Sequence, residues 1–174
     1  MTRLLGIDLG ERRIGLAVAE TEREPALPLA TIRRGRSVAA DVERLATVVG
    51  EQRINELVIG LPLEASGVEG TMAAAARGWA EALSTALGLP VALRDERLSS
   101  HLAETRLGPM PRGRSGGPPT PAQREAYRAR VDREAAAIIL GDELDARAAA
   151  ARSSWRGSVA PGHPPANPRR PPGP

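Results

Sequence analysis

The sequence predicts an α/β fold, a mixed five-stranded sheet flanked by helices. Three observations carry this. Three short apolar segments joined by brief links come first, within residues 4–34. Two further apolar strands then alternate with segments of helical periodicity, and a long helical pattern follows a Gly/Pro-rich connection. Strands joined by short links pair antiparallel, whereas strands separated by a helix pair in parallel, so the sheet is mixed.

Each element has its own signal. "LLGIDLG" and "IGLAVAE" are apolar runs joined by "ERR", a link of hairpin length. "LATIRR" follows "EPALP" and reads as a third strand. In "SVAADVERLATVVG" the residues Val38, Val42, Leu45 and Val49 fall at helical spacing, with Ser37 as N-cap and Gly50 as stop. "ELVIGLP" is a continuously apolar strand of the kind covered on both faces. "LEASGVEG" is a loop that only loosely resembles a phosphate-binding turn. "TMAAAARGWAEALSTALG" is a helix with Met72, Ala75, Ala76, Trp79, Leu83 and Leu87 on one side and Gly88 at its end. "PVALRDE" is a strand and "SSHLAETRL" a short helix. "GPMPRGRSGGPP" is too rich in Gly and Pro for regular structure. "TPAQ" is a capping box, with Thr120 as N-cap, Pro121 at the first helical position and Gln123 at the third. The helix it opens runs through "VDREAAAIILGDELDARAAAA".

The chain of 174 residues thus divides into a domain over 1–151 and a tail over 152–174 that is rich in Pro and Arg and expected to be disordered. With no Phe, one Tyr and two Trp, the core must be aliphatic. The absence of Cys excludes disulfides and thiolate metal sites and agrees with a reducing cytoplasm. No segment reads as a signal peptide or membrane span, so a soluble cytoplasmic protein without a membrane partner is expected.

Charge is distributed unevenly. All 24 basic residues are Arg. The tail holds four of them and no acid, while residues 1–151 hold 20 Arg against 21 acids. Within that body, residues 106–133 carry seven Arg against Glu125 and Asp132. A local basic segment either binds a polyanion or is simply solvated.

Three acids stand out by context. Asp8 lies in the middle of an apolar strand, where a carboxylate is costly unless compensated. Gly10, two residues on, allows close backbone approach to a ligand. Glu96 ends a strand, and Asp95 is its equal on spacing alone. Asp132 precedes the most apolar stretch of the last helix. Sites in open α/β sheets gather at the carboxyl ends of strands, where Asp8, Glu96 and Asp132 can converge. Three carboxylates repel, and a hard divalent cation resolves the repulsion. His101 has no nearby second His, which disfavours a histidine metal site.

"GIDLGERRIGLAVAE", "VIGLPLEASGVEG", "RDERLSS" and "VDREAAAIIL" together resemble the four motifs of the YqgF/RuvX family, across roughly residues 3–146. That family is RNase H-like. It is described both as Holliday junction resolvases and as nucleases maturing the 5′ end of pre-16S ribosomal RNA. The resemblance implies a metal-dependent nuclease, with Mg²⁺ or Mn²⁺ held by Asp8, Glu96 and Asp132, which would also be catalytic. It favours Glu96 over Asp95 and matches Arg13 and Gly15 to the family's "RIG". Ser99 and Ser100 stand where threonines are common. Ala135, three residues after Asp132, stands where true junction resolvases usually carry a further acid, so pre-rRNA is favoured over a DNA junction.

On this reading the segment 106–130 is an arm that grips the phosphate backbone through Arg112, Arg114, Arg124 and Arg128, and Arg13 also binds nucleic acid. The protein would act as a monomer or homodimer. Two rival classes share the fold. One is an ATP-handling domain of the actin/sugar-kinase group, which normally needs two such domains. The other is a nucleic-acid-binding module without activity.

Overall fold

The computed structural model describes residues 2–20, 25–63, 70–96, 98–113 and 116–158. The elements in chain order are β1 (Leu4–Leu9), β2 (Arg13–Ala19), β3 (Leu27–Arg33), α1 (Val38–Gln52), β4 (Glu56–Leu61), α2 (Thr71–Leu87), β5 (Val91–Asp95), α3 (Ser99–Leu107) and α4 (Pro121–Ser158). The sheet order is β3-β2-β1-β4-β5. β1, β2 and β3 pair antiparallel, and β1, β4 and β5 pair in parallel. This is the mixed five-stranded sheet flanked by helices expected from the sequence.

Strand alternation divides the core in two. Leu5 and Ile7 of β1, Ile14 and Leu16 of β2, and Leu57 and Ile59 of β4 pack under α1 and α2 with Leu45, Trp79 and Leu83. The intervening residues face α4, where Leu4, Ala17, Ala19 and Val58 meet Ala136, Ile139 and Leu140. This second face is built from small residues, and α4 lies directly on it. A Cβ at Gly15 would fall 2.0 Å from the Asp132 carbonyl, and one at Gly6 would fall 2.7 Å from the Ala136 carbonyl.

Polar clamps fix the helices around this sheet. Glu143 of α4 is 5% exposed, accepts from Arg147 at 2.6 Å and is bonded by Arg94 of β5. Arg147 also reaches Glu56 of β4. Burial pushes the Glu143 carboxyl up, but the bonds from Arg147 and Arg94 outweigh it and hold the group below the usual glutamate range. On the other face Asp41 of α1 is fully buried, where it accepts from Gly35 N at 2.6 Å, Arg34 Nε at 3.1 Å and Trp79 Nε1 at 3.1 Å.

Several expectations need correction. Gly50 does not stop α1, which runs on to Gln52 and ends at Arg53 in the left-handed region, with φ 51°. The buried stripe of α2 is Ala73, Ala76, Trp79, Ala80 and Leu83, while Met72 is exposed. An alanine-rich helix gives little periodic contrast, and its phase is set by Trp79 and Leu83. α4 continues past residue 151 to Ser158, because "ARSS" extends an alanine-rich pattern that nothing interrupts. Residues 159–174 of the expected tail, and the loop 64–69, lie outside the described residues. Among the described residues, no helix is long and apolar enough to cross a membrane.

Candidate active site

Asp8, Glu96 and Asp132 reach one end of the sheet from three elements. In β1 the residues Leu4, Gly6 and Asp8 alternate onto the α4 face. Asp8 is half-buried and pairs in register with Gly15 of β2. Glu96 follows the last residue of β5, and its backbone N–H donates to the Leu61 carbonyl at the end of β4, at 3.2 Å. Asp132 stands on α4 where the helix backbone rests on Gly15.

Glu96 is seated over a glycine. A Cβ at Gly60 would fall 1.9 Å from Glu96 Oε2, so only Gly leaves room for that carboxyl. Ser99 Oγ donates to the Glu96 carbonyl at 2.9 Å, which fixes the turn into α3.

The two strand-borne carboxyls meet. Burial pushes Asp8 up to about 7, the Asp132 charge adds to this, and a hydrogen bond from Glu96 draws it part of the way back. Burial pushes Glu96 up to about 8, with the Asp8 charge, the hydrogen bond to Asp8 and the Asp95 charge acting in the same direction. Both carboxyls thus lie above their ordinary range because they are buried beside one another. Glu96 Oε2 remains buried with no hydrogen-bond partner. A carboxylate oxygen buried in this way is costly unless it has a ligand.

Asp132 does not close the cluster. Its Oδ2 is bonded by Arg13 Nε, and Arg13 Nη1 also reaches Glu125 at 3.3 Å. Among the described residues no three His, Cys, Asp or Glu side chains are arranged to hold a metal ion. The physical reason is the nearby cation: Arg13 offers Asp132 a charge-assisted bond, whereas Asp8 offers repulsion. The Arg13 guanidinium is thereby engaged with two acids of α4.

The oxygen donors nevertheless suit a hard cation. Asp8 and Glu96 supply two adjoining carboxyls, one oxygen is orphaned, and Gly60 keeps the space around it clear. Asp95, the alternative on spacing, is exposed and lines a separate cleft of about 740 Å³ with Leu63, Leu98, Leu102, Ile138 and Asp142.

The basic segment divides between the connection and the start of α4. Arg124 and Arg128 stand exposed on the first turns of α4, which begins with the expected capping box: Thr120 N–H donates to Gln123 Oε1 at 2.8 Å, and Gln123 N–H to Thr120 Oγ1 at 3.2 Å. Tyr127 between them is buried and donates to the Gly108 carbonyl at 2.7 Å, so one end of the connection is tied down on α4. Arg112 is exposed, and Arg114 lies outside the described residues. Sequence reasoning missed the roles of Gly15 and Gly60. For Gly60 a signal existed, since a glycine inside an apolar strand marks a close approach.

Comparison with known proteins identifies the family. The family model described as "RuvX: Holliday junction resolvase" matches residues 2–146. A relative from Anaeromyxobacter sp. (strain K) is 47% identical over 146 residues, covering 84% of this chain and 98% of its own. It carries the name "Putative pre-16S rRNA nuclease". A relative of the same name from Chloroflexus aggregans is 39% identical over 144 residues, covering 83% of this chain and 94% of its own. Among solved structures, Thermus thermophilus RuvC in complex with a Holliday junction substrate aligns with TM-score 0.48 and 20% identity, over 84% of this chain and 96% of that chain. The model match over residues 2–146 spans Asp8, Glu96 and Asp132, and with relatives at 47% and 39% identity the chain belongs to the RuvX (YqgF) family.

Proposed function

We propose that the protein is a divalent-metal-dependent nuclease that acts on precursor 16S ribosomal RNA in the cytoplasm. One observation carries the reading. Asp8 and Glu96 adjoin at the carboxyl ends of parallel strands, and Glu96 Oε2 is buried without a partner. The names of the relatives support the choice of RNA.

Asp8 and Glu96 would hold Mg²⁺ or Mn²⁺, with Asp132 as the third carboxylate. When bound, the ion would supply charge neutralisation at the phosphoryl oxygens and acidify water. The chain's own groups do the rest. Hydrolysis joins a water oxygen to phosphorus and breaks a phosphorus–sugar oxygen bond. The carboxylates at this site are placed to take the proton that water loses, and the departing oxygen takes up a proton in turn. Arg13 can exchange Asp132 for a substrate phosphate, because a guanidinium fork fits both. That exchange would free Asp132 to join the other two acids as substrate arrives.

The family description favours a second reading, cleavage of DNA junctions. Ala135 weighs against it: the residue is fully buried against α3 with Ala103 and Tyr127, so no fourth acid reaches the site from that position. The test is a cleavage assay on precursor 16S RNA, four-way DNA junctions and single strands, each in Mg²⁺, Mn²⁺ or EDTA. Trimming of the RNA 5′ end with metal and none in EDTA is expected. Cleavage of junctions alone would replace the substrate, and no cleavage of any substrate would refute the proposal.

A further inference from the structure

Beside the acids, at the β1–β2 turn and the end of β3, lies a groove of about 440 Å³ lined by Arg12, Arg13, Arg33 and Arg34 together with Glu11 and Glu125. Two of the four guanidinium groups are satisfied. Arg13 is bonded to Asp132 and Glu125, and Arg34 to Asp41. The other two, Arg12 and Arg33, are exposed, and among the described residues neither side chain has an acid or hydrogen-bond acceptor. Arg33 also stands directly opposite Arg13 in the β2–β3 register. Like charges opposite one another on antiparallel strands cost stability. Arg44 adds a further cation, donating from its side chain to the Arg33 carbonyl.

The groove is held in shape. Arg34 N–H donates to the Arg12 carbonyl at 3.0 Å, Gly10 N–H to the Arg13 carbonyl at 3.0 Å, and Arg34 Nη1 to the Gly10 carbonyl at 3.4 Å. Arg34 is in turn fixed by buried Asp41. A rigid frame that presents unpaired guanidinium groups is preorganised for phosphate, which each fork can hold through two bonds. Arg13 belongs both to this groove and to the acid site, so a strand with one phosphate at Asp8 and Glu96 has a continuous path past Arg13 into the groove.

We infer that this groove is the track for the sugar–phosphate backbone flanking the cut, with Arg12 and Arg33 each taking one phosphate. The inference rests on the nuclease reading for its direction, and it moves the main grip from the 106–130 segment to the β1–β2 turn and the end of β3. RNA and DNA share the backbone chemistry, and contacts of this kind carry no base preference.

The experiment measures binding of the full chain to labelled single-stranded RNA and DNA of one sequence, in EDTA, across a salt series. Arg12→Gln/Arg33→Gln should lower the log–log salt slope by about 1.4, from two contacts at about 0.7 each for a single strand. Arg12→Lys/Arg33→Lys should keep the parent slope, because the charge remains. Arg124→Ala/Arg128→Ala should lower the slope less than the glutamine pair. A fall with only one polymer still supports the track and identifies its strand. If the glutamine pair melts below the parent, Arg12→Gln alone reads the same quantity, with an expected fall of about 0.7. An unchanged slope in a folded glutamine variant overturns the inference. Because binding is read without metal, a protein that cleaves nothing yet shows the slope change refutes the nuclease reading alone. One that cleaves with an unaltered slope refutes the track alone.

Discussion

Replacing Asp8 by Asn separates a site built for a cation from an acid that merely stabilises the sheet. In the metal-free protein both carboxyls titrate well above their ordinary range, Asp8 near 7 instead of 3.8 and Glu96 near 8 instead of 4.5. Between about pH 4 and pH 8 the folded chain therefore binds more protons than the unfolded one. Stability is then highest at the acid end of that window and falls as pH rises through the folded pKa values. For Asp8 the shift is roughly three pH units, worth about 4 kcal/mol at about 1.4 kcal/mol per unit. Asn keeps the shape and cannot ionise, and it also removes the Asp8 charge that raises Glu96. At pH 8 in EDTA, Asp8→Asn should be more stable than the parent by about 2–4 kcal/mol, or roughly 5–15 °C in melting temperature for a domain of this size. At pH 5 the two should agree within about 1 kcal/mol. Added Mg²⁺ should raise the parent's melting temperature more than the variant's, because a ligand bound only by the native state stabilises it by mass action. Thermal melts of both proteins at the two pH values, each in EDTA and in Mg²⁺, read all of this. A variant that melts below the parent at pH 8 in EDTA and responds equally to Mg²⁺ would refute the reasoning. Asp8 would then be a satisfied structural acid.

Gly60→Ala should leave the sheet folded and abolish metal-dependent cleavage, since its Cβ would displace Glu96 Oε2 from 1.9 Å away; full activity with an unchanged melting temperature would show that Glu96 is not held there. Glu143→Gln should cost about 2 kcal/mol at pH 7 by leaving Arg94 and Arg147 without their shared carboxylate, with the cost shrinking as pH falls through the depressed Glu143 pKa. Denaturant melts at pH 7 and pH 3 check both the size and the sign.

The sheet was legible because its strands carry the period-two and continuous apolar signals that burial demands. Asp8 was legible because it violates that pattern. Glu96 could not be told from Asp95 by spacing, and the family resemblance decided between them. Alternation along β5 agrees: Ala92 packs against the α4 face and Arg94 bonds Glu143 there, so Glu96 follows on the same face. Asp132 was legible as a candidate. Its partner was not, because the Arg13–Asp132 bond joins residues 119 positions apart and depends on how closely α4 settles on Gly15. The groove escaped for a similar reason. Arg12 and Arg33 are distant in sequence, and only the β2–β3 register brings them to one edge. α4 runs on to Ser158 because its alanine-rich sequence gives no stop signal that could be read beforehand.

Where α4 meets Gly15, the nearest atoms of the helix are all backbone. At that point the separation of the two layers is a backbone distance, not one set by side-chain volume. On the α1/α2 face an Ile-for-Leu exchange can be absorbed by rotamer changes in neighbours. Against Gly15 there is only helix backbone and nothing to rotate, so an added methyl at residue 15 becomes a rigid displacement of the helix. Asp132 travels with that helix while Asp8 stays with the strand. The tolerance of the acid site is thus set by a residue that carries no functional group, and variation in the α1/α2 half of the core can proceed without moving Asp132 relative to Asp8.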